Sequence, residues 1–436
     1  MSKTAWLCSF LTAALMLSRA GLGWAEVKPG DTITKGDMAQ AEDLLTPTTR
    51  WMVERGMPIQ VIETKPVPWP KAYRGATEKY AGQVKLAADG RDLYNYVAGC
   101  PFPDIDINDP LAGFRVMWNH EQSPAKVDNV GADTLVESVS SKGEIERSYE
   151  FPWRRLMWTG RIYTDPKPLL PHSPLLRHTN LFGPFSAPSD LRGLMLLDIR
   201  YLARDLPDDT YAYIPELRRV RRLTEANRSD TCPVRGFEFD SFYGFNGNIR
   251  HWTFRVLAEK EILGVVHSGK YGDRRAWCAP RDGKHGILAA LPCVAWEKRR
   301  VWVVEGVPTD YPRAYVSSKR IMYIDQDFFA PLIQEVYDQD GELWRILLDA
   351  IFYGKKPYDE YPASPLKGGA YNYADEWPFT PNRVMVDIQQ GNASAYDAPS
   401  GYKKPAEWRQ EWYFNENVVS NRPEVYTPYY LIQNAR

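Results

Sequence analysis

From Gln83 onwards, bulky apolar residues alternate with polar or charged ones in short runs, the period of strands with one dry face. QVKLAADGRDLYNYV places an Asp89-Gly90 turn between two such runs, and VYDQDGELWRILL does the same around Asp340-Gly341, a strong hairpin signal. TYAYIPELRRVRRL carries a Pro-Glu-Leu reversal between Thr210 to Ile214 and Arg218 to Leu223. Further strands are predicted at Glu144 to Phe151, Trp153 to Arg161, Leu194 to Leu202, Trp252 to Ala258, Lys298 to Glu305, Arg320 to Ile324 and Arg383 to Ile388. Sequential hairpins with few helices between them describe a meandering antiparallel sheet, and many twisted strands tend to curl.

Helical periodicity is confined to short stretches. Thr34 with Asp37 three residues later resembles a capping box, with Met38, Ala41, Leu44 and Leu45 on one face until Pro47. Thr46-Pro47 opens a second helix through Trp51, Met52 and Val53 to a stop at Gly56. Asp109-Pro110 opens a third, whose stripe of Leu111, Phe114, Met117 and Trp118 predicts a helix packed on the sheet. Two proline-rich stretches, Asp165 to Arg192 and Tyr353 to Pro381, read as surface excursions or rims over a cavity. The expected fold class is mainly β with short helices (α+β): a large curled antiparallel sheet or incomplete barrel capped by helices. No repeat or linker divides residues 26–436, so one domain is expected there.

Composition supports that reading. The 436 residues include 15 Trp, 26 Tyr and 34 Pro, a mixture that favours pleated strands and breaks helices. Lys3, the apolar run Ala5 to Leu17 and Gly23-Trp24-Ala25 form a signal peptide over residues 1–25, too short to span a bilayer, with cleavage expected after Ala25. The mature chain then holds 52 basic and 55 acidic residues, which gives no general attraction for nucleic acid, and the expected fate is export. Its four cysteines, Cys100, Cys232, Cys278 and Cys293, allow three pairings in an oxidising compartment. Cys278 with Cys293 is favoured because RDGKHG between them is turn-rich, and Cys100 with Cys232 would follow.

Catalytic motifs are weak. There is no GxSxG elbow, P-loop or dinucleotide turn, no CxxC, and no HxxxH or HExxH, so no cofactor and no metal are expected. Asp104 with Asp106 and Asp208 with Asp209 read as exposed-loop acids rather than glycosidase pairs, and His172 and His178 as surface histidines. Arg218, Arg219, Arg221 and Arg222 alternate across a strand, either pairing with acids such as Asp208, Asp209, Glu238 or Asp240, or meeting an anionic ligand head.

ITKGDMAQAEDLL, PVPWPKAYRGATEKYAGQVKL, YNYVAGCPFPDIDINDP, the TYAYIPELRRVRRL hairpin and EVYDQDGELWRI together resemble the DUF1329 family of exported proteins from Gram-negative bacteria, over about Asp31 to Ile388. That family is distantly similar to the lipoprotein carriers LolA and LolB, which implies a curled, incomplete barrel capped by short helices around an apolar cavity. The resemblance also implies partners: resistance-nodulation-division exporters and outer-membrane proteins, beside which such genes often lie. It implies no catalytic residues.

The function expected is therefore a periplasmic carrier of a hydrophobic, lipid-like ligand, associated with an exporter or the outer membrane. The alternatives are an exported hydrolase with a dispersed active site, or a structural accessory of the outer membrane. An aromatic concave face would hold the ligand by apolar burial, roughly 25 cal/mol per Å². Trp158, Phe254 and Trp302 are the candidate wall residues, and Arg219 and Arg221 the candidate anchors for a polar head. The leader is directly testable: N-terminal sequencing of the protein from its host's soluble fraction should begin at Glu26, and recovery of intact Met1 to Ala25 would contradict it.

Overall fold

The computed structural model describes residues 26–126, 128–171, 176–203, 206–223, 238–267, 286–291, 294–309, 315–354, 377–396, 412–414 and 422–435. The signal segment, Cys232, Cys278, Cys293 and His172 lie outside the described residues, and with them the Cys278–Cys293 pairing.

The N-terminal part is a cap of short pieces. β1 (Thr32–Ile33) pairs with β2 (Ile59–Gln60) on either side of α1 (Pro47–Glu54). The Thr46 side chain accepts from Thr49 N while Thr49 Oγ1 accepts from Thr46 N, a reciprocal cap that starts α1 where Thr46-Pro47 predicts. The helix expected from Thr34 is instead a series of turns ending in one 3₁₀ turn at Glu42–Leu44. Asp37 does accept from Thr34 N and Oγ1, but these bonds close a local turn around Gly36 rather than propagate a helix. α2 (Lys71–Tyr80) follows, then the β3 (Lys85–Leu86) and β4 (Leu93–Tyr94) hairpin around Gly90, then α3 (Ala112–Glu121), whose start is held by Asp109 accepting from Leu111 N.

The remaining strands form one sheet, β5 (Asn129–Val139), β6 (Ile145–Met157), β7 (Leu176–Phe182), β8 (Met195–Tyr201), β9 (Asp209–Ile214), β10 (Arg219–Leu223), β11 (Trp252–Gly264), β12 (Glu297–Pro308), β13 (Lys319–Asp325), β14 (Pro331–Tyr337), β15 (Leu343–Gly354), β16 (Trp377–Asp387), β17 (Asn392–Tyr396) and β18 (Trp412–Phe414). Its order is β10-β9-β8-β7-β6-β5-β17-β16-β15-β14-β13-β12-β11, with β18 also pairing with β5, and every pairing is antiparallel. Two meanders, β5 to β10 and β11 to β17, are thus joined where β17 meets β5, leaving β10 and β11 at the two ends.

Two sequence expectations are corrected here. Glu144 to Phe151 and Trp153 to Arg161 are one strand, β6, running through Pro152. β7 pairs with β6 only as far as Trp153, so the proline sits where that side of the ladder has ended. Asp165 to Arg192 is not wholly an excursion, because its Leu176–Phe182 is β7, hydrogen-bonded between β6 and β8.

The sheet is far from flat. β8 and β11 are ten strand steps apart, about 48 Å in a flat sheet. Yet α3, about 15 Å long, touches both: Phe114 packs edge-on against Phe254 of β11 (centroids 5.5 Å apart) and Glu121 lies 3.9 Å from Arg200 of β8. The sheet therefore curls into an incomplete barrel, and α3 bridges its gap from inside. Outside, α1 and its neighbours cover β11 to β17 around Met52, Ile59, Ile333 and Ile346, while the C-terminal α4 (Pro428–Asn434) seats Leu431 among Leu181, Met195 and Leu197 of β7 and β8. Among the described residues no helix is long and apolar enough to cross a membrane.

The fit of α3 to β11 depends on Gly113: a Cβ there would stand 2.5 Å from the Phe254 carbonyl carbon and oxygen and 2.7 Å from Arg255 N. Backbone atoms cannot step aside as a flexible side chain can. Gly113→Ala should therefore cost about 1–3 kcal/mol in denaturant unfolding. Gly75→Ala, in the exposed middle of α2 with nothing within 4 Å, should instead add about 0.5–1 kcal/mol. Equal effects of the two would contradict the packing described.

Candidate functional site

Register decides which side chains enter the lumen. Trp302 lies opposite Ile324, Val304 opposite Met322, and Phe254 opposite Gly306, so β11 to β13 present an apolar wall that meets Phe114, Met117 and Trp118 of α3. On the other half, Trp153 lies opposite Phe182, and both meet Phe242 from the crossover between β10 and β11. Between these aromatic regions the lumen is charged. Arg320 bonds Glu238, Ser241 and Gln334, and Arg383 bonds Asp349 and the Ser241 carbonyl.

The densest group of charges gathers at the C-terminal end of α3. Glu121 is buried with Lys126 Nζ at 3.3 Å, His178 Nδ1 at 3.5 Å, Arg177 Nη1 at 3.8 Å and Arg200 Nη1 at 3.9 Å. Arg200 is in turn held by Asp208, through Nε at 3.0 Å and Nη2 at 2.9 Å, and Asp198 accepts from Asn180. Arg155, whose guanidinium lies 4.8 Å from the centre of the Tyr243 ring, adds a further positive charge that bears on both Lys126 and His178. Four cations thus enclose three carboxylates, all buried.

Burial and charge set the protonation states. Burial works to neutralise Glu121, but the cations around it, Lys126 first and then Arg200 and Arg177, outweigh it and hold the carboxyl well below the usual range. Burial, reinforced by Arg155, keeps His178 neutral, far below an ordinary histidine. Burial brings Lys126 down to about 7, only partly opposed by Glu121. Both ring nitrogens of His178 and the Nε of Arg177 are buried with no hydrogen-bond partner among the described residues. Among the described residues the Lys126 ammonium, with three donors, has one hydrogen bond, to Glu121.

A narrow recess of about 10 Å³, room for one water molecule, opens against Lys126. Most of its other polar groups are occupied. Tyr73 donates to the Gln122 carbonyl, the Tyr96 hydroxyl lies 3.0 Å from Gln122 Oε1, and Asp128 accepts from the backbone N–H of Ile162, Tyr163 and Thr164. Lys126 and the Gln122 side-chain amide are therefore the groups in the wall with donors to spare, and Lys126 is the charged one.

The five residues expected from sequence do not converge. Phe254 and Trp302 share the apolar lumenal wall, both nearly buried, with Trp302 stacked on Phe329. Arg219 and Arg221 lie opposite Ile214 and Ala212, which turns them to the lumenal side of the edge strand, where both are exposed. Trp158 is on the outer face, in the cluster beneath α4, donating to Thr179 Oγ1. Asp208, in the loop before β9, and Asp209, its first residue, are not exposed but are buried partners of Arg200 and Arg222, and His178 is not on the surface. Cys100 is a free, buried thiol, and Cys232, its expected partner, lies outside the described residues. Glu121, Lys126, Arg155, Arg177 and Arg200 were missed because they are scattered over 80 residues. The one local signal was that Glu121 and Lys126 directly follow the recognised α3 stripe.

The family description "Protein of unknown function (DUF1329)" matches residues 32–426. A relative, the uncharacterized protein PA3922 of Pseudomonas aeruginosa, is 28% identical over 339 residues, which is 74% of this chain and 69% of that protein. Among solved structures, a DUF1329 family protein from Desulfovibrio piger overlays with a TM-score of 0.47 at 13% identity, covering 74% of this chain and 100% of its own. A putative outer membrane lipoprotein-sorting protein domain from Vibrio parahaemolyticus gives 0.45 at 16% identity, over 73% and 98% of the two chains. A LolA superfamily protein from Nitrosomonas europaea gives 0.37 at 12% identity, over 72% and 98%. The matched pattern runs from Thr32 to Tyr426, through α3 and both halves of the sheet, and the chain belongs to the DUF1329 family.

Proposed function

We propose that the protein is an exported, periplasmic carrier of an amphiphile with a lipid-like apolar part and an anionic head group. The observation that supports this most is the buried, cation-rich cluster of Lys126, Arg155, Arg177 and Arg200, in which Lys126 and Arg177 have donors to spare and a narrow recess opens against Lys126. A buried excess of positive charge is costly, and an anion that completes the hydrogen bonds of Lys126 and Arg177 would offset that cost. Phosphate and carboxylate head groups both have this chemistry.

The apolar part would lie against Phe254 and Trp302. The N-terminal half of α3 meets β11 and β12 through side chains such as Phe114, and apolar contacts are undirected, so a hydrocarbon chain can replace them at similar free energy. The C-terminal half is tied by directed bonds: Asn119 to Phe102, the single N–H of the neutral His120 to the carbonyl of either Phe329 or Phe245, and Ser123 to the Phe328 carbonyl. Loading would thus tilt α3 about a fixed, charged end. In this reading an exporter of the resistance-nodulation-division class or an outer-membrane protein gives or receives the ligand.

Extraction of the protein purified from its host, followed by lipid mass spectrometry, should yield an anionic amphiphile in near-stoichiometric amount. Lys126→Met, folded by its melting curve, should retain at least about tenfold less. Absence of any amphiphile, or equal retention of a neutral one, would overturn the proposal. The pH dependence is a second check. Lys126 is charged below about 7 and loses its proton above it, so head-group affinity should fall by up to about tenfold per pH unit as pH rises past 7. In Lys126→Arg, which stays charged, that fall should disappear.

A further inference from the structure

We propose that the tip of the β9–β10 hairpin and the outward side of α4 form a docking surface for an anionic lipid bilayer. Leu217 at the tip is 46% exposed, and Tyr429 and Ile432, one helical turn apart on α4, are 67% and 51% exposed. The two elements are neighbours: a Cβ built on Gly193 would lie 2.6 Å from the Ala435 carbonyl oxygen, just beyond α4, and 3.4 Å from Pro215, which opens the tip. Leu431 anchors α4 to β7 and β8, so Tyr429 and Ile432 are directed away from the sheet.

Charge identifies the occupant. Arg218 and Arg219 are exposed at the tip next to Leu217, Arg221 is exposed further along the lumenal side of β10, none with an ion pair among the described residues, and Arg192 is exposed next to Gly193. Arg222 is neutralised by Asp209, and Glu216 is the one acid in the turn itself. Arginines on an edge strand also discourage pairing with a foreign strand, which accounts for Arg219 and Arg221 by themselves. It does not account for three large apolar side chains exposed beside them. Apolar and aromatic groups projecting from two adjacent elements, with cations around them, match a fluid surface that takes up the apolar groups below its anionic head groups.

The test is co-sedimentation of the mature protein with vesicles of equimolar phosphatidylglycerol and phosphatidylcholine, and with phosphatidylcholine alone. Binding to the anionic vesicles should be more than about tenfold stronger and should weaken with salt. Arg218→Ser with Arg219→Ser and Arg221→Ser should lower it about tenfold or more, and Tyr429→Ser with Ile432→Ser, which leaves the charge unchanged, should lower it severalfold. Leu217→Ser tests the tip separately. Lys126→Met should bind vesicles like the parent, which separates this surface from the lumenal site. No sedimentation of the parent, equal binding to both vesicles, or undiminished binding by the variants would overturn the proposal.

Discussion

A single carboxylate, Glu121, stands where the two halves of the molecule meet. It ends a helix whose first turns pack on β11, and it lies against side chains of β7 and β8, which the sheet order places far away. A helix C-terminus is a poor place for a negative charge, and burial makes it worse. Lys126, Arg177 and Arg200 make the ionised form acceptable, and in doing so they draw β7 and β8 to the end of α3. This arrangement ties the end of α3 to β7 and β8 across the gap of the curled sheet.

The same logic repeats around the lumen. Glu238, from the crossover, meets Arg320 of β13 and lies 3.6 Å from Arg345 of β15, while Arg383 of β16 reaches Asp349 of β15 and the crossover backbone. Such pairs add less to net stability than their number suggests, because each charge gives up its hydration. Their directionality has a different effect: guanidinium forks accept few geometries, so they hold the crossover in one position where apolar contacts alone would allow many. Outside the barrel a comparable device serves α1, whose Thr48 N and Oγ1 both donate to the buried Glu335 of β14.

How much was legible from sequence varies with the range of the interaction. The Asp89-Gly90 and Asp340-Gly341 hairpins are where the turn residues put them, since a turn is specified by its own few residues. α1 and α3 likewise carry their caps and stripes in contiguous sequence. β7 was hidden, because LRHTNLF has no clean alternation: His178, Asn180 and Phe182 face the lumen while Thr179 and Leu181 face α4, and both faces are buried. A strand covered on both sides does not show the polar positions by which alternation is recognised.

The sequence alone determined the class of fold, antiparallel and β-dominated, together with the family and most of the strands, because these follow from local periodicity and turn chemistry. Tertiary structure alone decided which residues share the lumen. Trp158 and Trp302 have the same alternating surroundings, yet one lies beneath α4 and the other beside α3, because facing depends on where each strand sits in the curl. Glu121, Lys126, Arg155, Arg177 and Arg200 come from five separate positions on α3, the segment after it, and β6 to β8. Their meeting depends on a curvature summed over ten strand steps, a quantity that no short stretch of sequence contains.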